Sequence, residues 1–329
     1  FSKEAYRFVD FLKNAHQKYW QILPIGPTSY GDSPYQSFST YAGNPYFISL
    51  EELIEEGLLT EEECDKVDFG NRIDKVNYEK LYNGRFKLLK KAYKKSNISE
   101  KEDFDKFKSE NCYWLNDYAM FMAIKDRFNG QSFDKWAEDI KLRWEYSMEY
   151  YQNELKDEIE FYKFIQYEFY RQWYKLKKYA NENGIKIIGD IPIYVAYDSA
   201  DVWAHPELFQ MDENGKPVAV AGCPPDGFSA TGQLWGNPLY RWDYHKQTNY
   251  DWWIKRIERS VKLYDVVRID HFRGFDEYYS IPAEDEDATN GHWEKGPGID
   301  LFNAIKYCLG DVNIIAEDLG YITDTVRQL

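Results

Sequence analysis

The sequence predicts an α/β fold with parallel strands, and two stretches carry most of that expectation. Residues 266–274 (VVRIDHFRG) and 314–320 (IIAEDLG) are short, apolar, β-branched runs that end abruptly in charged residues. Residues 299–309 between them have helical character. Strand, helix, strand gives two parallel strands whose ends point the same way. The third observation is where the carboxylates fall. Asp270 ends the first strand, Glu317 ends the second, and Asp190 lies in another apolar run, 185–195 (IKIIGDIPIYV).

The remaining elements follow in chain order. Ala5, Phe8, Val9 and Leu12 have the spacing of one helix face. Residues 19–25 (YWQILPI) read as a buried strand, and 26–44 as a long loop of Gly, Pro, Ser and Asn. A loop of this length at a strand end is either functional or a self-packed surface segment. From 49 to 183 helical periodicity takes over without a convincing strand. Ser49 with Glu52 and Thr60 with Glu63 read as capping boxes, and 147–181 as one long helix or two. The charge runs here read as solvated helix faces. Residues 196–242 read as irregular, because Pro224–Pro225 and Gly236–Asn237–Pro238 disfavour regular structure. A helix over 250–263 then precedes the strands at 266–270 and 312–317. Four strands of barrel type are visible, where a (β/α)₈ barrel needs about eight. The expectation is a partial (β/α)₈ TIM barrel with a large helical insertion. Its parts are 1–48 (a strand and an active-site loop), 49–183 (the helical insertion) and 184–329 (three strands and a covering loop).

Composition narrows the function. A formal charge of −15 argues against nucleic-acid backbones and anionic membranes as partners. No apolar run approaches the ~20 residues of a membrane span. Cys64, Cys112, Cys223 and Cys308 are scattered without CxxC spacing, which suggests neither a zinc site nor a disulfide framework and fits a reducing compartment. No calcium loop, HExxH or Gly-rich phosphate loop is present, so no metal or nucleotide cofactor is expected. Aromatic residues make up 18% of the chain, and either sugar stacking or ordinary helix packing accounts for them.

The strand-end carboxylates suit acetal cleavage, which needs one group to protonate the leaving oxygen and an ionised one to attack the sugar carbon. Arg268, two residues before Asp270, shares its face and is expected to lower its pKa, as suits a nucleophile. Glu317, beside Ala316, has no adjacent cation, and burial is expected to raise its pKa, as suits a general acid. A structural Arg–Asp pair would look the same in sequence. His271 is either a packing residue or a ligand to a sugar hydroxyl. Phe228 and Trp235, in a polar loop, are either sugar platforms or loop anchors.

Four blocks now resemble one family. They are LPIGPTSYGDSPYQSFSTYAGNPY, GDIPIYVAYDSADVW, PPDGFSATGQLWGNPLYRW, and VVRIDHFRGF with IIAEDLGYIT. Together they are similar to the 4-α-glucanotransferases (amylomaltases, glycoside hydrolase family 77). The resemblance implies a (β/α)₈ barrel and transfer of α-1,4-glucan segments among glucans and maltooligosaccharides. It also implies retention, no metal or cofactor, and a cytoplasmic location. It assigns Asp270 as nucleophile, Glu317 as acid/base and Arg268 as support for the nucleophile. Asp190, Tyr35, His271, Ser33 and Gln233 would contact substrate, Trp235 and Phe228 would cover bound glucan, and Tyr30 would bind glucan remotely. Gly227 stands where the family often has a second aromatic. The resemblance also implies a first barrel strand before Phe1 and a third carboxylate, in an HDN block, after Leu329. On that reading the 329 residues are a piece of a longer enzyme and inactive alone. A retaining α-glucan hydrolase and a non-catalytic glucan-binding protein are the rival readings.

Overall fold

The computed structural model describes residues 1–29, 31–72, 74–319 and 322–329. Among the described residues, eight strands form two four-stranded sheets. They are β1 (Tyr19–Gln21), β2 (Lys186–Pro192), β3 (Ala219–Cys223), β4 (Gln233–Pro238), β5 (Val266–Asp270), β6 (Glu277–Pro282), β7 (His292–Lys295) and β8 (Ile314–Ala316). One sheet is wholly parallel in the order β1-β2-β5-β8. The α/β expectation therefore holds, and all four strands read from the sequence lie in this sheet.

Two of them are shorter than expected. β1 stops at Gln21, with one further rung from the Ile22 N–H to the Ile188 carbonyl at 3.0 Å. Pro24 has no N–H to continue the ladder. β8 covers only 314–316 of the expected 312–317.

The second sheet overturns the irregular reading of 196–242. It is antiparallel, in the order β4-β3-β6-β7. Gly236, Asn237 and Pro238 are inside β4 because β4 is an edge strand, where a missing N–H costs no ladder bond. The register also shifts between Val220 and Gly222, as a bulge does. The hairpin of β6 and β7 was missed as well. Its signal was Tyr278, Tyr279 and Ile281 followed by a turn-rich stretch.

The described residues of 49–183 form helices joined by turns and loops. Thr60 and Glu63 form a full capping box, whereas Ser49 caps only one way, accepting from the Glu52 N–H. Its own N–H donates to Gln172 Oε1 instead, at 2.6 Å. The stretch 147–181 resolves into two helices, Glu145–Glu154 and Lys156–Glu182. The longer one is buried on several faces by Ile159, Phe164, Ile165, Phe169, Trp173 and Leu176, so it packs on neighbours all round. One continuous apolar core joins it to β2 and β5.

Close packing fixes what lies behind the parallel sheet. A Cβ on Gly189 in β2 would fall 2.1 Å from the Tyr264 ring, so only glycine fits there. The long helix also anchors the 26–48 loop. Fully buried Gln166 accepts from the Gly43 N–H at 2.7 Å and donates to the Gly43 carbonyl at 2.9 Å. Gln166→Leu keeps the bulk but strands both backbone groups, at about 1–3 kcal/mol each. Denaturant unfolding should show that loss, and a change within ~0.5 kcal/mol would contradict the anchoring role.

Candidate active site

The carboxyl ends of the four parallel strands form one edge, and β5 explains why chemistry collects there. Its outward residues Val267 and Ile269 are fully buried against the core, while Val266, Arg268 and Asp270 on the other face are partly open. The register sets Asp190 beside Arg268, and Pro192 beside Asp270. Ile269 pairs with Ala316, and the Glu317 N–H donates to the Ile269 carbonyl at 3.1 Å. Asp270 and Glu317 thus follow paired residues on strands about 4.8 Å apart.

Arg268 joins the set. Its guanidinium donates to Asp190 at 2.7 Å and pairs with Asp270 at 2.9 Å. Asp190 is buried and takes a second bond, from the Tyr35 hydroxyl, at 2.8 Å. Burial and that bond push the Tyr35 phenol up to about 12, so it is a neutral donor at ordinary pH. The expectation for Asp270 is reversed. Its carboxyl is pushed up by burial, Arg268 pulls it down, and the charge of Asp190 pushes it up again. One guanidinium shared between two carboxylates does not outweigh desolvation.

Glu317 is also placed differently from expectation. It is half-exposed and not buried. Its oxygens accept from the backbone N–H groups of His271, at 3.0 Å, and Leu319. The first bond is possible because the chain turns at His271, whose φ is +53°. The His271 ring meets Trp235 edge-on with centroids 4.8 Å apart. Its Nε2 is buried with no partner among the described residues. Burial, and then Arg273, lower its pKa to about 4, so the ring is neutral.

Arg268, Asp270, Glu317, Asp190, Tyr35, His271 and Trp235 therefore form one connected group. Of the other candidates, two touch the group only through local bonds to Tyr35 and Trp235. Ser33 Oγ accepts locally from the Tyr35 N–H at 3.3 Å. Gln233 Oε1 accepts from the Trp235 indole at 3.0 Å. Phe228 is fully exposed at its loop tip. Tyr30 lies outside the described residues. Sequence reasoning missed Tyr194, which lies 6.3 Å from the rings of both Trp235 and His271. It also missed Asn237, which donates to the Val195 carbonyl at 2.7 Å and accepts from Gln36 at 3.3 Å. Both stand in the quoted blocks, Asn237 as a buriable amide within GNP.

Two carboxylates stand on neighbouring strand ends, one braced by a guanidinium and the other by backbone donors. The edge is rich in negative charge and flanked by rings, which suits a developing positive charge at a sugar carbon. Fold and site together define a carbohydrate-active enzyme of the α/β type. The 4-alpha-glucanotransferase family profile matches residues 1–329. A 4-alpha-glucanotransferase of Clostridium butyricum is 54% identical over 100% of this chain and 68% of its own length. One from Thermus thermophilus is 47% identical over 99% of this chain and 65% of its own. The amylomaltase of Streptococcus agalactiae, solved with acarbose, superposes with a TM-score of 0.95 at 46% identity, over 99% of this chain and 66% of that one. The chain belongs to the 4-alpha-glucanotransferase family, glycoside hydrolase family 77, and spans about two thirds of the length of these relatives.

The depressed pKa of His271 has a signed consequence. Between its folded value of about 4 and the ordinary 6.5, the unfolded chain binds the extra proton. Its contribution to stability is therefore complete above pH 6.5 and is lost as pH falls toward 4, at up to about 1.4 kcal/mol per pH unit. Urea unfolding at pH 7, 6 and 5 should show a shallower acid loss in His271→Gln than in the parent. Parallel pH profiles would contradict the buried, neutral ring.

Proposed function

We propose that the protein transfers α-1,4-glucan segments from a donor to an acceptor glucan by a retaining double displacement, inside a closed (β/α)₈ barrel. The observation that carries this reading is the Arg268 fork to Asp190 and Asp270, with Glu317 on the adjacent strand end. In the first step an Asp270 oxygen attacks the sugar C1, the C1–O4 bond breaks, and Glu317 gives its proton to the departing oxygen. In the second step the acceptor's 4-hydroxyl attacks C1, Glu317 takes its proton, and the bond to Asp270 breaks. Two inversions give net retention.

The other residues take supporting roles. Arg268 holds Asp270 in place and offsets burial, which matters because the attacking carboxylate must be ionised. Asp190, aimed by Arg268 and Tyr35, accepts from sugar hydroxyls. Neutral His271 offers its unpartnered Nε2 to another. Trp235 supplies a ring face, and Phe228, at the tip of an exposed loop, folds over bound glucan and limits water. Ser33, in the long loop, and Gln233, at the start of β4, also reach the sugar. No helix among the described residues is long and apolar enough to cross a membrane. The unpaired cysteines favour a cytoplasmic setting.

A retaining hydrolase would use the same carboxylates, so the product pattern decides. Given maltotriose, the full-length protein should release glucose together with chains longer than the substrate. Shorter products alone would mean hydrolysis. Asp270→Asn should lower turnover roughly 10⁴-fold or more. Turnover within tenfold of the parent would remove Asp270 from the nucleophile role.

A further inference from the structure

A second cavity lies on the outside of the molecule, away from the carboxylate edge. It sits between the helices Cys112–Arg127, Ala200–Ala204, Trp242–Gln247 and Asp251–Leu263, and its volume is about 190 Å³. At about 30 Å³ per water, that is roughly six waters, room for one sugar ring and not two. Tyr113, Tyr244 and Trp252 supply ring walls. The Trp252 side chain is nine-tenths buried, and its indole N–H has no acceptor among the described residues.

The lining charges indicate what kind of ligand fits. Asp117 pairs with Arg143 at 2.6 Å, Asp251 with Lys255 at 2.6 Å, and Glu207 with His205 at 3.2 Å. Asp201 is buried and accepts from the Thr40 N–H at 2.9 Å and the Thr40 hydroxyl at 2.7 Å. Three of these carboxylates face a basic side chain and Asp201 is hydrogen-bonded, so each already has a partner. The lining offers acceptor oxygens and ring faces. A pyranose meets both, with its hydroxyls and its C–H faces.

We propose that this cavity is a second carbohydrate site for one neutral hexopyranose unit, either free or at the end of a glucan. The ligand class rests on the glucan-transfer reading, but the site is separate from the carboxylate edge. It touches the far part of the same loop: Tyr35 reaches Asp190, while Ser39 and Tyr41 line this cavity. An occupant would bear on that loop from its other end.

The test is an indole N–H correlation spectrum of the full-length protein carrying Trp235→Ala, which removes a ring at the active site. The Trp252 signal is assigned by its loss in Trp252→Phe. D-glucose should shift that signal. Maltotriose shifting it equally means that a chain end also enters, and glucose alone acting means a free-sugar site. Tyr113→Ala, a rim change that spares the core, should weaken the response roughly three- to tenfold and leave maltotriose turnover unchanged. If Trp252→Phe fails to fold, the Tyr113→Ala comparison by calorimetry with glucose carries the test. A Trp252 signal unmoved by both sugars, or glucose binding unaffected by Tyr113→Ala, overturns the proposal. Because turnover is read separately, failure here leaves the transfer reading standing, and loss of transfer leaves the cavity result standing.

Discussion

The Arg268 guanidinium is the constraint on which the site depends. It lies between two carboxylates, one buried and one half-open, and satisfies both. Removing it would leave Asp190 as an uncompensated buried charge, a loss of several kcal/mol. Lysine is no substitute, since a single ammonium cannot reproduce a planar fork aimed at two partners. The fork in turn requires Asp190 and Arg268 to be neighbours across β2 and β5, and the parallel register makes them so.

That register is held from behind. Gly189 lets the Tyr264 ring press against β2, and Val267 and Ile269 seal β5 against the core. Buried Arg256 donates to the Ile193 carbonyl at 2.9 Å and to the Pro192 carbonyl, which fixes the chain just past the end of β2. Asn237 ties the antiparallel sheet to Val195, and Gln36 ties the long loop to Asn237. The carboxylate edge is therefore a rigid sheet end with polar side chains stitching the loops to it, as preorganised electrostatics requires.

Much of this was legible in the chain. The β-branched runs ending in Asp and Glu located the parallel strands, because burial on one face and charge at the end leave a distinct pattern. What escaped was set by tertiary context. Gly236 and Pro238 argue against a strand until β4 is known to be an edge. Ser49 and Glu52 match a capping box, yet the Ser49 N–H is claimed by Gln172 from a distant helix. Arg268 beside Asp270 suggested a lowered pKa, but no sequence reveals that the same guanidinium also serves Asp190, or that desolvation exceeds its effect. Ser33 and Gln233 stand in specific blocks, while their described contacts are local bonds to the Tyr35 N–H and the Trp235 indole.

In the proposed reaction the carboxylate held by Arg268 forms the covalent bond to sugar, and the one held by backbone N–H groups moves the proton. The direct measurement is to treat a full-length Glu317→Gln variant with an activated glucosyl fluoride, which leaves without acid help, and to map the adduct by peptide mass spectrometry. The peptide bearing Asp270 should carry one added glucosyl group. An adduct on Asp190, or inverted product with no adduct at all, would contradict it.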